Sequence, residues 1–161
     1  MTINEYNQCV DEFSDGIYRF LLKNSHNDEL ARDLVQDTFM KLWIRQKGVQ
    51  YEKGKSYLFS TAYHTMIDHF RKHERITKFD GNVHNAGITY DNYSDLKEIL
   101  DEAVDKLPPV QKSVVLLRDY EGYSYEEIGE ITGLSESQVK VYIYRARLFL
   151  KKYIVSPDLV V

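Results

Sequence analysis

Basic side chains are concentrated near the end of a chain whose overall charge is negative. The sequence carries 21 Lys and Arg against 25 Asp and Glu, a net charge of −4, whereas residues 135–161 carry five basic and two acidic residues. A second basic stretch, residues 53–79, carries six basic and two acidic residues. A solvated helix face explains either group alone. Two such groups on amphipathic helices, however, favour two contacts with one polyanion.

The segment that leads into the last basic stretch has the pattern of two short helices joined by a turn. Ser124 is followed three residues later by Glu127, and Ser135 by Gln138, and each pair is a capping box that begins a helix. Gly133 between them supplies a left-handed turn. Two short helices joined by such a turn predict a helix-turn-helix.

The second of these helices divides into two faces at 100° per residue. Val139, Ile143 and Leu150 fall on one side with Ala146, which predicts the buried face. The opposite face is centred on the side chains Ser137, Val141, Tyr144 and Leu148, flanked by the cations Lys140, Arg145, Arg147, Lys151 and Lys152. A helix that reads DNA needs this layout, because central side chains meet base edges and flanking cations meet phosphates.

Helical periodicity extends over nearly the whole chain, which predicts an all-α fold. Glycines and asparagines without periodicity occupy residues 76–94 and indicate a flexible linker. We therefore expect two small helical domains, residues 1–75 and 95–154, followed by a tail at 155–161. Helices are predicted at about 4–23, 28–46, 55–75, 95–106 and 109–119, and two more helices follow, which begin at the capping boxes of Ser124 and Ser135.

The second half resembles region 4 of the extracytoplasmic-function (ECF) branch of the sigma-70 family. The segment LPPVQKSVVLLRDYEGY, followed by SYEEIGEITGLSESQVKVYIYRARLFLKK, carries the resemblance. Its leading Leu-Pro and its Arg-Ala-Arg triplet go beyond a generic helix-turn-helix. The resemblance implies recognition of the promoter −35 element. The residues we assign to it are Ser135, Ser137, Gln138, Lys140, Val141, Tyr144, Arg145, Arg147 and Lys151.

The first half resembles region 2 of the same family. The segment DELARDLVQDTFMKLW, residues 28–43, is similar to the helix that binds the clamp of RNA polymerase. Its spacing also predicts an outward strip that is both acidic and apolar, with Ile44 at its end, and such a strip suits a protein partner. A helix buried on two sides of a small bundle is the alternative. The predicted polymerase contacts are Asp33, Gln36, Asp37 and Met40.

The segment KSYLFSTAYHTMIDHFRKHER, residues 55–75, resembles the helix that melts and reads the −10 element. Melting requires pockets for flipped bases and cations along the strand. This segment departs from the family pattern at Tyr57, Tyr63 and His64. The side chains that we assign to the −10 element are Lys55, Ser60, Thr61, His64, Asp68, Arg71, Lys72 and Arg75.

The resemblance implies an alternative sigma factor with core RNA polymerase, promoter DNA and an anti-sigma factor as partners. We expect a cytoplasmic protein, because Cys9 is alone and neither a secretory signal nor an 18-residue apolar run is visible. We also expect the protein to be monomeric when free. We expect no catalysis, cofactor or metal: no catalytic motif is present, and His64 and Asp68 point away from His69 and His73 on the helical wheel. The remaining alternative is a stand-alone helix-turn-helix regulator of transcription.

Overall fold

The computed structural model describes the backbone of residues 1–80 and 96–155 and the side chains of residues 1–74 and 96–155. Every regular element in these ranges is helical, as predicted. The elements are α1 Ile3–Ser25, α2 Asp28–Arg45, short 3-10 turns at Gln46–Gly48 and Tyr51–Lys53, α3 Gly54–Asp80, α4 Leu96–Asp105, α5 Pro109–Val115, a π-helical turn Leu116–Tyr120, α6 Tyr125–Thr132 and α7 Glu136–Val155.

Helices α1, α2 and α3 form one bundle, which we call region 2. Its core contains Phe20, Leu42 and Phe59, each at most 1% exposed. Local signals fix the ends of its helices: Asn27 accepts a hydrogen bond from the Leu30 amide and begins α2. His26, in the left-handed conformation with φ of 52°, ends α1.

Helices α4 to α7 form a second bundle, which we call region 4. Pro109 occupies the first turn of α5, where its missing N–H costs nothing. The predicted helix 109–119 is an α-helix only to Val115 and then widens into the π-helical turn. The core centres on Ile128 and Ile143, both at most 2% exposed.

The two bundles pack against each other, chiefly through α3 against α6 and α1 against α5. An edge-to-face contact between Phe59 and Tyr123, with ring centroids 5.0 Å apart, lies in this interface. No pattern in the sequence indicated this contact. Helix α3 also continues beyond its predicted end at 75, and most of the predicted linker, the tail beyond Val155 and the side chain of Arg75 lie outside the described residues.

Candidate nucleic-acid and polymerase interfaces

The turn before α7 fixes the direction of that helix. Gly133 has a φ of 79°, a left-handed conformation that an L side chain rarely adopts. A Cβ on Gly129 would lie 2.9 Å from the carbonyl oxygen of Leu134, so the turn packs directly on the backbone of α6. Both predicted capping boxes are formed: Ser124 pairs with Glu127, and Gln138 receives from the Ser135 amide at 2.9 Å. These contacts position the start of α7 firmly.

The face of α7 opposite its buried side is exposed, as the helical wheel predicted. Val141, Tyr144 and Leu148 are 45%, 69% and 42% exposed, whereas Val139 and Ala146 are fully buried. A shallow depression of about 250 Å³ lies at its N-terminal end. The depression is lined by Ser137, Gln138, Val141, Tyr142 and Arg145. An apolar side chain beside hydroxyl, amide and guanidinium groups can distinguish base edges, including the thymine methyl group.

The cations that flank this face are exposed, but two of them have partners within region 4. Arg147 donates to Asp119 at 2.6 Å, and this hydrogen bond raises the pKa of the guanidinium. Lys140 lies 3.4 Å from Glu136, one turn earlier. A phosphate that contacts Arg147 must therefore displace Asp119 from the guanidinium or bind the guanidinium together with Asp119. The remaining predicted −35 side chains, Ser137, Tyr144, Arg145 and Lys151, are exposed on α7.

The polar face of α3 opens into a cavity with a volume of about 610 Å³. Four of the predicted −10 residues lie together in its wall: Ser60, Thr61, His64 and Asp68. His64 is anchored by a 2.7 Å hydrogen bond between its Nδ1 and the Ser60 carbonyl. The structure thus brings half of the predicted set into one polar recess.

The other predicted −10 residues lie elsewhere. Lys55 does not line this cavity, because its ammonium group lies 3.2 Å from Glu127 of α6 and above the ring of Tyr123. Arg71 and Lys72 are exposed farther along α3. The side chain of Arg75 lies outside the described residues.

Sequence reasoning did not assign two cations of the cavity wall, Lys41 and Arg45. Lys41 and Arg45 come from α2, while Lys53 and Tyr57 come from the turn and the first part of α3. Lys41 donates to Thr65 at 3.0 Å, which joins the two helices at the recess. The spacing of Lys41 and Arg45, four residues apart on one helix face, was a signal that could have found them.

The outward strip of α2 is exposed, as predicted. Asp33, Gln36 and Asp37 face solvent along the helix, and Met40 is 56% exposed beside them. Ile44 is 71% exposed at the end of the strip. An exposed surface that combines carboxylates with large apolar groups is suited to bind a protein.

Trp43 extends this strip, and the sequence analysis did not assign it. Its side chain is 45% exposed, while one edge of the ring packs on Tyr6 at 5.0 Å between centroids. A tryptophan held by one neighbour and open on its other side is a rigid apolar anchor for a partner. Its place three residues after Met40 was the available signal.

Neither a metal-binding cluster nor a membrane-spanning helix occurs among the described residues. Within 1–74 and 96–155, no group of three or more His, Cys, Asp or Glu side chains is arranged to hold a metal ion. Over the same part of the chain, no helix is both long enough and apolar enough to cross a membrane.

Two protein-family descriptions match this chain. Sigma-70 region 2 matches residues 9–76, and Sigma-70, region 4 matches residues 97–150. Residues 9–76 contain the α2 strip and much of the α3 cavity, and residues 97–150 contain the helix-turn-helix. The two matched segments therefore correspond to the two bundles.

Relatives match over almost the full length. The chain is 32% identical to the ECF RNA polymerase sigma factor SigM of Bacillus subtilis, with 94% of each chain covered. It is 34% identical to the RNA polymerase sigma factor YlaC of the same organism, covering 88% of this chain and 87% of YlaC.

Solved structures show the same architecture. The sigma factor RpoE of Bartonella quintana, solved in complex with the anti-sigma factor NepR, has a TM-score of 0.79 and 26% identity, with 97% of this chain and 99% of that chain covered. CnrH, solved with the cytosolic domain of CnrY, shares the fold with a TM-score of 0.69 and 22% identity over 95% of this chain and 88% of that chain.

The helix-turn-helix, with its exposed recognition helix, places the molecule among helix-turn-helix DNA-binding proteins. The matches narrow this class: the chain belongs to the ECF branch of the sigma-70 family. It is an alternative sigma factor that directs promoter-specific transcription initiation. The stand-alone regulator is not favoured, since both sigma regions are present in one chain.

Proposed function

We propose that three surfaces of this chain divide the work of initiation: the α2 strip binds core RNA polymerase, the α3 cavity holds the melted −10 element, and α7 reads the −35 element. The exposed apolar and basic face of α7 carries the proposal. Val141, Tyr144 and Leu148 are left uncovered between cations, and a merely solvated helix has no need of such residues there.

At the −35 element, we assign the first turns of α7 to the major groove. Ser137, Val141 and Arg145 share the depression that faces outward, so they are the base-reading candidates. Lys140, Tyr144, Arg147 and Lys151 lie along or beside this face and are assigned to the phosphates and sugars. Ser135 and Gln138 are engaged in the capping box, so their contribution is to hold the helix start while presenting their remaining polar atoms.

At the −10 element, the cavity between α2 and α3 is the proposed receptor for an unstacked base. Ser60, Thr61, His64 and Asp68 offer hydrogen-bonding groups, and Tyr57 offers an aromatic surface. Lys41, Arg45 and Lys53 surround it with positive charge that suits the strand backbone. Lys55, Arg71, Lys72 and Arg75 are assigned to the strand on either side.

The α2 strip is the proposed contact with the polymerase clamp. Asp33, Gln36 and Asp37 provide polar complementarity, and Met40 provides a central apolar contact. Ile44 continues the apolar part of the strip to its predicted end, and Trp43, which sequence reasoning did not assign, enlarges it.

Other partners follow from the family and from relatives. RpoE of Bartonella quintana was solved with an anti-sigma factor, and we propose that an anti-sigma factor also restrains this chain. We further propose a cytoplasmic protein that is monomeric when free and acts as a non-catalytic subunit without a cofactor. The domain limits 1–75 and 95–154 remain predictions.

The test is co-purification with bacterial core RNA polymerase, followed by run-off transcription on genomic fragments. We expect a stable complex and discrete new start sites. Asp37→Lys should abolish the complex without changing the helical circular dichroism, because it places a cation in an acidic strip. Glu29→Lys, an exposed charge reversal earlier on α2, is the matched control. Survival of the D37K complex would remove this strip from the interface.

A further inference from the structure

The basic beginning of α3 is covered by an acidic edge of region 4. The carboxylate of Glu127 lies 3.2 Å from the Lys55 ammonium group, and that of Glu130 lies 3.3 Å from the Ser56 hydroxyl. Both carboxylates come from α6, 72 and 74 residues farther along the chain. Region 4 therefore places two negative charges on the helix assigned to the −10 strand.

The contact of Glu127 with Lys55 is built rather than incidental. The Lys55 ammonium group lies 4.1 Å above the ring of Tyr123, so it is held between an aromatic face and a carboxylate. Partial burial opposes ionisation of Glu127, yet hydrogen bonds from Lys55 and Ser124 lower its pKa overall. Glu127 is therefore charged at neutral pH, and its carboxylate forms an ion pair with the Lys55 ammonium group.

Glu130 extends this acidic edge to the cavity. Its side chain is part of the wall that also contains Ser56, Lys53 and Arg45. A carboxylate at this position lies where a strand phosphate would approach the same cations, since both are oxyanions that lysine and arginine bind. The two groups cannot occupy one position together.

We infer that α6 and the −10 strand compete for one surface, with Glu127 and Glu130 standing in for DNA phosphates while the two regions are packed together. This inference rests on the proposed −10 site. In the packed state the chain must separate region 4 from α3 before the strand can reach Lys55 and the cavity. The packed chain thus covers its own −10 site. The apparent affinity for DNA then depends on the fraction of molecules in which the two regions are separated.

Further contacts hold the packed state. Arg19 of α1 forms a two-point ion pair with Glu121, with distances of 3.3 and 3.1 Å. At the other end of the interface, Asp105 lies 2.7 Å from His26, and the Lys112 ammonium group donates to the Asn24 carbonyl oxygen at 3.5 Å. Most of these groups are partly exposed, so each ion pair alone contributes at most about a fivefold factor to the packing equilibrium.

The first experiment removes the two carboxylates from the full chain. In Glu127→Gln with Glu130→Gln we expect a larger radius of gyration by small-angle X-ray scattering. We also expect a three- to tenfold lower Kd for a labelled, mixed-sequence single-stranded oligodeoxynucleotide at low salt. This is about the combined effect of losing the two weak contacts made by Glu127 and Glu130. The matched control is Glu98→Gln with Glu126→Gln. It removes the same charge from exposed positions of region 4.

A second variant opens the interface without changing charge. A Cβ on Gly16 of α1 would lie 3.4 Å from Glu121 Oε2 and 3.5 Å from the Phe59 ring, so a small addition fits and a larger one does not. Gly16→Leu should force the regions apart and lower the oligonucleotide Kd in the same range. Gly16→Ala is its control and should stay packed. Circular dichroism melting confirms that G16L remains folded.

The outcomes separate the inference from the function on which it rests. Expanded variants that bind the oligonucleotide no better than their controls would overturn the competition. Variants that stay as compact as the unaltered chain would show that these contacts do not hold the packing, which also overturns it. If core polymerase with this chain opens promoters equally well when Arg45 and Lys53 are alanine, the −10 site itself fails, and the competition fails with it. The scattering result would then still report the interface.

Discussion

The two basic helices of this sigma factor differ in how they present their charge. The cations of α7 border an open face on which Tyr144 is 69% exposed, whereas Lys55 of α3 lies against Glu127 and Tyr123 of the other region. The cavity beside Lys55 also carries an acidic residue, Glu130, in its wall. The face that would read duplex DNA is thus available in the free chain. The face that would hold a melted strand becomes fully available only after the two regions separate.

Disruption of the turn before α7 should abolish DNA binding by the exposed face of α7 and leave the basic face of α3 intact. In Gly129→Ala the new methyl group would meet the Leu134 carbonyl oxygen at 2.9 Å, a backbone contact that cannot rotate away. We expect a loss of about 1–3 kcal/mol in the free energy of unfolding and loss of −35 binding. Thermal melting and binding to a −35 duplex provide the measurements.

Gly48→Ala is the control for this variant, because nothing lies within 4 Å of its Cβ position. Core polymerase binding should persist in G129A, since the α2 strip belongs to region 2. An unchanged melting curve for G129A would mean that the turn does not need this close approach.

The cavity should depend on the cations in its wall. Arg45→Ala with Lys53→Ala should reduce promoter opening about tenfold or more, which corresponds to about 1.4 kcal/mol, while −35 duplex binding stays within about twofold. Permanganate reactivity of unpaired thymines at the start site measures opening. Lys47→Ala with Lys97→Ala is the control, because it removes two positive charges from positions outside the cavity wall. An equal loss of promoter opening in that variant would show that net charge alone causes the effect.

The smallest expected effect distinguishes two arginines of α7. Arg145 lines the outward depression, whereas Arg147 is already paired with Asp119 at 2.6 Å. Arg145→Ala should weaken −35 binding about three- to tenfold and reduce the salt slope by about one. Arg147→Ala should weaken −35 binding less and change the salt slope less.

Asp119→Asn should strengthen binding slightly, because it releases Arg147 to phosphate. Filter-binding titrations at several salt concentrations provide the slopes. Equal slopes for R145A and R147A would show that Asp119 does not restrain its partner.

The sequence predicted α7 more completely than α3. The division of α7 into a buried side with Val139 and Ile143 and an open side with Val141 and Tyr144 is confirmed, because both faces follow from one helical period. Both capping boxes are confirmed for the same reason: their partners are three residues apart.

The surroundings of α3 were less accessible to such reasoning. The partner of Lys55 is 72 residues away, and no periodic pattern connects two positions across a linker. Lys41 and Arg45 reach the cavity from another helix; their spacing shows that they share one face of α2, but not that this face borders α3. The π-helical turn after Val115 also has no signature in the apolar spacing that predicted a regular helix.

The contact between Phe59 and Tyr123 gives the packing of the two regions a dependence on temperature. Tyr123 is only 6% exposed, and its ring becomes exposed to solvent when region 4 separates from α3. Exposure of apolar surface raises the heat capacity, and the driving force for burying it weakens on cooling. A cold shift should therefore move the chain toward its open form even where no ligand or partner has changed.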